Sequence, residues 1–113
     1  MTVAEIAASV EATIVAGDNE NHELTYGFAS DLMSDVLTVM QDHVLLITGL
    51  ANVQTIRTAT MADITAVLIA RNKRATREMK QAAEEGRIIL LETGFSMFRA
   101  SGILYEAGLS AVF

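Results

Sequence analysis

Val44-Leu45-Leu46-Ile47-Thr48, Ala66-Val67-Leu68-Ile69-Ala70 and Ile88-Ile89-Leu90-Leu91 are nearly all apolar and recur about every 22 residues, with helix-like segments between them. A half-exposed strand alternates apolar and polar side chains. These runs have no polar face, so each must be covered on both sides, as in a parallel sheet with helices above and below it. Working outward, a strand from His43 to Thr48 leads to a helix over about Asn52 to Met61. A strand from Thr65 to Ala70 follows, then a helix over about Thr76 to Glu85, with Gly86 as its left-handed stop. Arg87 to Glu92 is the next strand, and a helix begins near Phe95, runs to about Ala107 and stops at Gly108. Upstream, Thr2-Val3-Ala4-Glu5 fits a capping box opening a helix over residues 3 to 10. Ala12 to Ala16 reads as a strand ended by the turn residues Gly17 to Asn21, and Glu23 to Ala29 as another. Ser30 is placed to cap a helix from Asp31 to about Gln41, with Leu32, Val36, Leu37 and Met40 as its apolar stripe. The expectation is an α/β fold: one compact domain over 1–113, a mostly parallel sheet of about four to five strands, and helices on both faces. Connections this short favour right-handed crossovers.

Composition excludes several functions. Without cysteine there is no disulfide framework, thiolate metal site or cysteine nucleophile. A net charge of −6 argues against a binder of nucleic-acid backbones, which needs a dominant basic surface. No apolar run approaches the roughly 18 residues of a membrane span, and no basic leader opens the chain, so a cytoplasmic protein without membrane contact is expected. With 51% hydrophobic and only 19% charged residues, the chain is apolar enough to share surface with a second subunit. A homodimer is therefore expected.

Ligands of parallel sheets gather beyond the strands' carboxyl ends, so the chemistry is sought there. Ser30, Asp31, Ser34 and Asp35 bring two carboxylates one helical turn apart, close enough to share Mg²⁺ but equally a polar, dipole-compatible helix face. The junctions Thr48-Gly49-Leu50-Ala51-Asn52 and Thr93-Gly94-Phe95-Ser96 join strand to helix through glycine. They offer close backbone approach to an anion, but neither is a Walker loop nor Gly-x-Gly-x-x-Gly, and turn capping by Thr48 or Thr93 explains them as well. Arg71, Lys73, Arg74, Arg77, Lys80 and Arg87 are six of the eight basic residues, within 17 positions. Several fall after a strand and at a helix start, where a bound anion would offset their mutual repulsion; a solvated face paired with Glu78, Glu84 and Glu85 is the plainer alternative. His22 and His43 are isolated in sequence, and without a nucleophile motif neither builds a triad. Met33, Met40, Met61, Met79 and Met97, with Phe95 and Phe98, read as core packing on helix faces. Ser101-Gly102 is small enough to admit another backbone, within the domain or across a dimer.

Thr25 to Val36, Leu46-Ile47-Thr48, Asn52-Val53, Ala82-Ala83-Glu84-Glu85-Gly86 and Gly102 to Leu109 together resemble a small stand-alone DRTGG-domain protein. The resemblance spans nearly the whole chain and is most specific in the Gly-x-x-Ser-Asp-Leu-x-Ser-Asp stretch; the five-residue signature that names the family is absent. It implies a fold similar to the amino-terminal domains of HPr kinase and of some Mur ligases. It also implies a regulatory or assembly module, often dimeric, without catalysis of its own. The expected role is thus a non-enzymatic sensor or interaction module, with no catalytic residues, no bound metal and no cofactor. It would respond to a small anionic or nucleotide-like effector, or act on a regulated partner protein. Ser30, Asp31, Ser34, Thr48, Gly49, Asn52, Arg71 and Arg74 are the candidate ligand-binding residues. The alternative is a small metal-assisted enzyme for a phosphorylated or nucleotide-like substrate, using Asp31, Asp35 and the bases from Arg71 to Arg77.

Overall fold

The computed structural model describes residues 1–113. In chain order its elements are α1 (Val3–Ser9), β1 (Thr13–Ala16), β2 (Tyr26–Ala29), α2 (Met33–Val36), β3 (Val44–Thr48), α3 (Val53–Met61), β4 (Ala66–Ile69), α4 (Arg77–Glu85), β5 (Ile89–Glu92), α5 (Met97–Glu106) and β6 (Ser110–Ala111). Six strands form one sheet in the order β1-β5-β4-β3-β2-β6. The four inner pairings from β5 to β6 are parallel, and β1 lies antiparallel against β5 at one edge.

The apolar runs behave as their composition requires. Along β3, Leu45 and Ile47 enter one core cluster while Val44 and Leu46 enter the other, and Leu68 and Val67 of β4 divide the same way. Val3 and Ile6 of α1 with Ala100 and Leu104 of α5 cover the first face. Val36 of α2, Ile56 and Ala59 of α3 and Met79 and Ala83 of α4 cover the second. Alternation with period two, apolar on both sides, is what a fully covered strand demands. No helix is long and apolar enough to cross a membrane.

Helix starts follow the hydroxyl and amide side chains that precede them. Thr2 caps α1 in a capping box whose second half is Glu5, and the Thr2 amide and hydroxyl hold the Glu5 carboxyl below its ordinary value of 4.5. Asn52, Thr76 and Ser96 cap α3, α4 and α5, each side-chain oxygen accepting an amide of the first turn.

Several expectations are corrected. The sheet has a sixth strand, β6, two residues long and recognisable only by its pairing with Tyr26 and Gly27. The helix expected from Asp31 to Gln41 shrinks to the single turn of α2, preceded by Leu32 with no side-chain cap. The Ser30 hydroxyl instead accepts the Leu32 amide in a tight turn, and Asp31 is drawn away to β3. Leu32, Leu37 and Met40 are consequently exposed, and only Val36 and Val39 reach the core. Gly86 is not left-handed, with φ −85°; Arg87 takes that conformation at φ 57°. Glycine serves a different need there: a Cβ on Gly86 would lie 2.5 Å from Thr60 Oγ1 of α3. Of the methionines and aromatics read as core, Met79 is buried but Met40, Met61 and Phe98 are at least 70% exposed. Gly102 admits no backbone from its own domain, since a Cβ there would meet nothing within 4 Å.

The close approach at Gly86 makes a test of the α3–α4 contact. Gly86→Ala is expected to cost about 1–2 kcal/mol by overpacking against Thr60. In a Thr60→Ala background the same change should be neutral or slightly stabilising, because alanine restricts the unfolded chain and the clash is gone. Urea unfolding of the two single variants and the double variant reads out this non-additivity.

Candidate functional site

The carboxyl ends of β2, β3, β4 and β5 bring separate segments of the chain to one edge of the sheet. Just past β2, Asp31 turns its carboxylate to β3, where Oδ1 accepts the Gly49 amide at 2.7 Å and the Thr48 hydroxyl at 2.9 Å. Its other oxygen makes no hydrogen bond within the chain. Thr48 is fully buried, and its hydroxyl oxygen also accepts the Leu50 amide at 3.2 Å, so the hydroxyl links the carboxylate to the main chain of the turn.

The β5 junction repeats this device. The Thr93 hydroxyl accepts the Phe95 amide at 3.1 Å, as Thr48 accepts Leu50, and donates to the Val10 carbonyl at 2.6 Å. At the end of β5, Glu92 is almost wholly buried and accepts the Ala75 amide at 2.6 Å and Arg74 Nη1 at 3.2 Å. A buried carboxylate persists when several donors satisfy it, and here two do.

Between these junctions lies the loop after β4. Arg71 and Asn72 both have left-handed backbones, φ 65° and 59°. Their amides donate to the Phe95 and Thr93 carbonyls at 2.8 and 3.0 Å, pinning the loop onto the β5–α5 turn. Consecutive left-handed residues other than glycine are strained, and such strain is found where surrounding structure holds a side chain in a required place. What it places is Arg71: a Cβ on Gly49 would lie 3.1 Å from Arg71 Cδ, 3.4 Å from its Nη1 and 3.6 Å from Asp31 Oδ1. Glycine at 49 thus lets an arginine stem lie flat on the turn that the Asp31 carboxylate holds. Arg71 and Lys73 are exposed and form no ion pair.

A family model described as the DRTGG domain matches residues 5–107. The chain belongs to the DRTGG family. No curated protein matches it at a significant level. Among solved structures, this DRTGG chain is similar to the CBS and DRTGG domains of the regulatory region of Clostridium perfringens pyrophosphatase, complexed with the activator diadenosine tetraphosphate. The TM-score is 0.73 at 9% identity, covering 96% of this chain and 47% of that one. The DRTGG chain therefore spans about half the length of that neighbour, and the likeness concerns the fold.

Of the eight residues singled out in the sequence, Asp31, Thr48, Gly49 and Arg71 come together on the rim of this DRTGG fold. Ser30 stands beside them with its hydroxyl in the turn to Leu32. Asn52 is committed to capping α3, its Oδ1 accepting both the amide and the hydroxyl of Thr55. Ser34 is exposed on α2 and takes no part in this hydrogen bonding. Arg74 is the one base of the cluster that finds a carboxylate, Glu92, and none pairs with Glu78, Glu84 or Glu85. Glu92 escaped the sequence reading, although a lone acid ending the apolar run from Ile88 was a signal. Asp31 and Asp35 do not share a helix face, because Asp31 precedes α2, and no group of three metal-ligating side chains forms. At the opposite end of the sheet, His22 and His43, distant in sequence, bring their rings to 5.9 Å, with His22 Nε2 2.8 Å from Thr65 Oγ1. The three main concavities open elsewhere: beside Gly17 and His22, between α3 and α4, and between α5 and β2.

Proposed function

We propose that residues 1–113 form one regulatory module that is not itself an enzyme and that senses a small anionic, nucleotide-like effector at this rim, working as a homodimer. The observation that carries this reading is that Asp31 and Arg71 both lie against Gly49 without pairing with each other. Asp31 has one anchored oxygen and one free to accept from a hydroxyl or amine. Arg71, with Lys73 near it in sequence, offers positive charge that forms no ion pair within the chain. A ligand carrying both hydroxyls and a phosphate would satisfy the two sides together. The neighbouring regulatory region is bound to a dinucleotide activator, which supports a nucleotide-like class for this chain as well.

Thermal unfolding of the chain with AMP, ADP, ATP and inorganic phosphate, with and without Mg²⁺, tests the reading. A ligand present at 100 times its dissociation constant stabilises the folded state by about 2.7 kcal/mol, a rise of several degrees in Tm. The expected result is such a rise with a nucleotide, without Mg²⁺ and without turnover. No shift with any anion at high concentration would remove the effector and leave a role in protein interaction. Stabilisation that strictly needs Mg²⁺, accompanied by turnover, would favour an enzyme using Asp31 and Asp35.

A further inference from the structure

The outward face of α5 is unlike the surface around it. Phe98 is 91% exposed and Tyr105 70%. Seven positions apart, they lie on one stripe about 10.5 Å along the helix. Gly102, between them, has open space where a side chain would be. Beside the stripe a groove of about 330 Å³ runs between α5 and the β2–β6 edge, floored by Gly27 and Ala29 and lined by Phe98, Ser101 and Tyr105. The Ser101 hydroxyl is shut off from solvent there and has no hydrogen-bond partner.

Two charges flank the stripe, Arg99 in the first turn of α5 and Glu106 at its last residue. Neither forms an ion pair within the chain. The helix dipole favours the opposite order, acid first and base last, so the helix alone does not account for them. The Arg99 guanidinium lies 3.8 Å over the Phe95 ring, which holds it at the helix start. Positions 99 and 106 are equally far from a point between 102 and 103. A second α5 running antiparallel, related by a two-fold axis near Gly102, would therefore set Arg99 of each copy against Glu106 of the other. A parallel copy would set like charges together.

We propose that α5 and the groove beside it are the face by which the chain takes up a second copy of itself. The two α5 helices cross antiparallel at Gly102, Phe98 of each copy seats in the other's groove, and two Arg99–Glu106 pairs fix the direction. Such an isologous contact needs a self-complementary patch, and the arrangement of apolar stripe and opposed charges is one. This inference rests on the self-association proposed above and assigns it a surface.

Sedimentation equilibrium of the whole chain across a wide concentration range tests it. The wild type should reach twice the 12.2 kDa of one chain. Phe98→Asp should weaken the dimer about 30-fold or more, as loss of a central aromatic anchor does. Arg99→Glu and Glu106→Arg should each weaken it about 10-fold, and the double variant should regain most of the loss. Both charge changes suit the helix dipole, so folding is retained, and circular dichroism checks this for every variant. A wild type that stays monomeric at millimolar concentration overturns self-association altogether. A dimer indifferent to Phe98→Asp and to both single swaps overturns this face alone. A double variant no stronger than either single one overturns the antiparallel register.

Discussion

Leu68→Ala is expected to destabilise the domain by about 2–5 kcal/mol, the range for truncating a buried leucine. Leu68 is fully buried in β4, with β5 on one side and β3 on the other, and it packs into the cluster that joins α1 and α5 to the sheet. Strands on both sides hold its backbone in the middle of the sheet, so the upper half of the range is expected. Domains of this size are stable by only about 5–15 kcal/mol, so this one change removes a large share. Urea titration should show a lower midpoint with an unchanged slope. Leu37→Ala is the matched control: Leu37 is 49% exposed beyond the short α2, and its loss should cost about 0.5 kcal/mol or less. Equal losses at the two sites would contradict the two-faced core and the shortened α2 together.

Arg71→Glu should weaken nucleotide binding by about 10- to 100-fold, because hydrogen bonds between charged groups contribute about 1.5–3 kcal/mol and the reversed charge would face the phosphate. Stability should change little, within about 0.5 kcal/mol, since Arg71 is exposed and unpaired and its left-handed backbone suits glutamate no worse than arginine. Arg57→Glu changes net charge by the same amount on the exposed side of α3, away from the rim. It should leave affinity within about twofold at physiological salt, where distant charges are screened. Calorimetric titration of both variants separates a direct contact from a general charge effect.

The sheet was legible because its central strands are apolar on both faces, a pattern a short amphipathic helix does not produce. One helix start was legible for a similar local reason: Thr2 with Glu5 announces a capping box, and the structure uses it. What stayed hidden depends on partners distant in sequence. β6 is a strand only because Thr25 to Gly27 lies beside it. Ser30 and Asp31 have the composition of a helix cap, but the Thr48 hydroxyl and Gly49 amide, seventeen and eighteen residues on, compete for the Asp31 carboxylate and win. Gly86 looked like a left-handed stop, yet the demand on it comes from Thr60 across the α3–α4 contact.

The same distinction applies to the candidate site. Position beyond the strand ends and the glycine at 49 could be read in advance. That Arg71, rather than another base of its cluster, would lie on the Gly49 turn could not, because it follows from Glu92 taking Arg74 and from two left-handed residues turning Arg71 toward Gly49.

The central claim, that an anionic effector binds where Asp31, Gly49 and Arg71 meet, is tested most directly by amide NMR spectra of the chain titrated with a nucleotide. The account predicts saturable shifts at Asp31, Gly49, Leu50, Arg71 and Asn72. Shifts confined instead to the concavity around Gly17, His22 and Arg87, or no shifts at millimolar nucleotide, would contradict it.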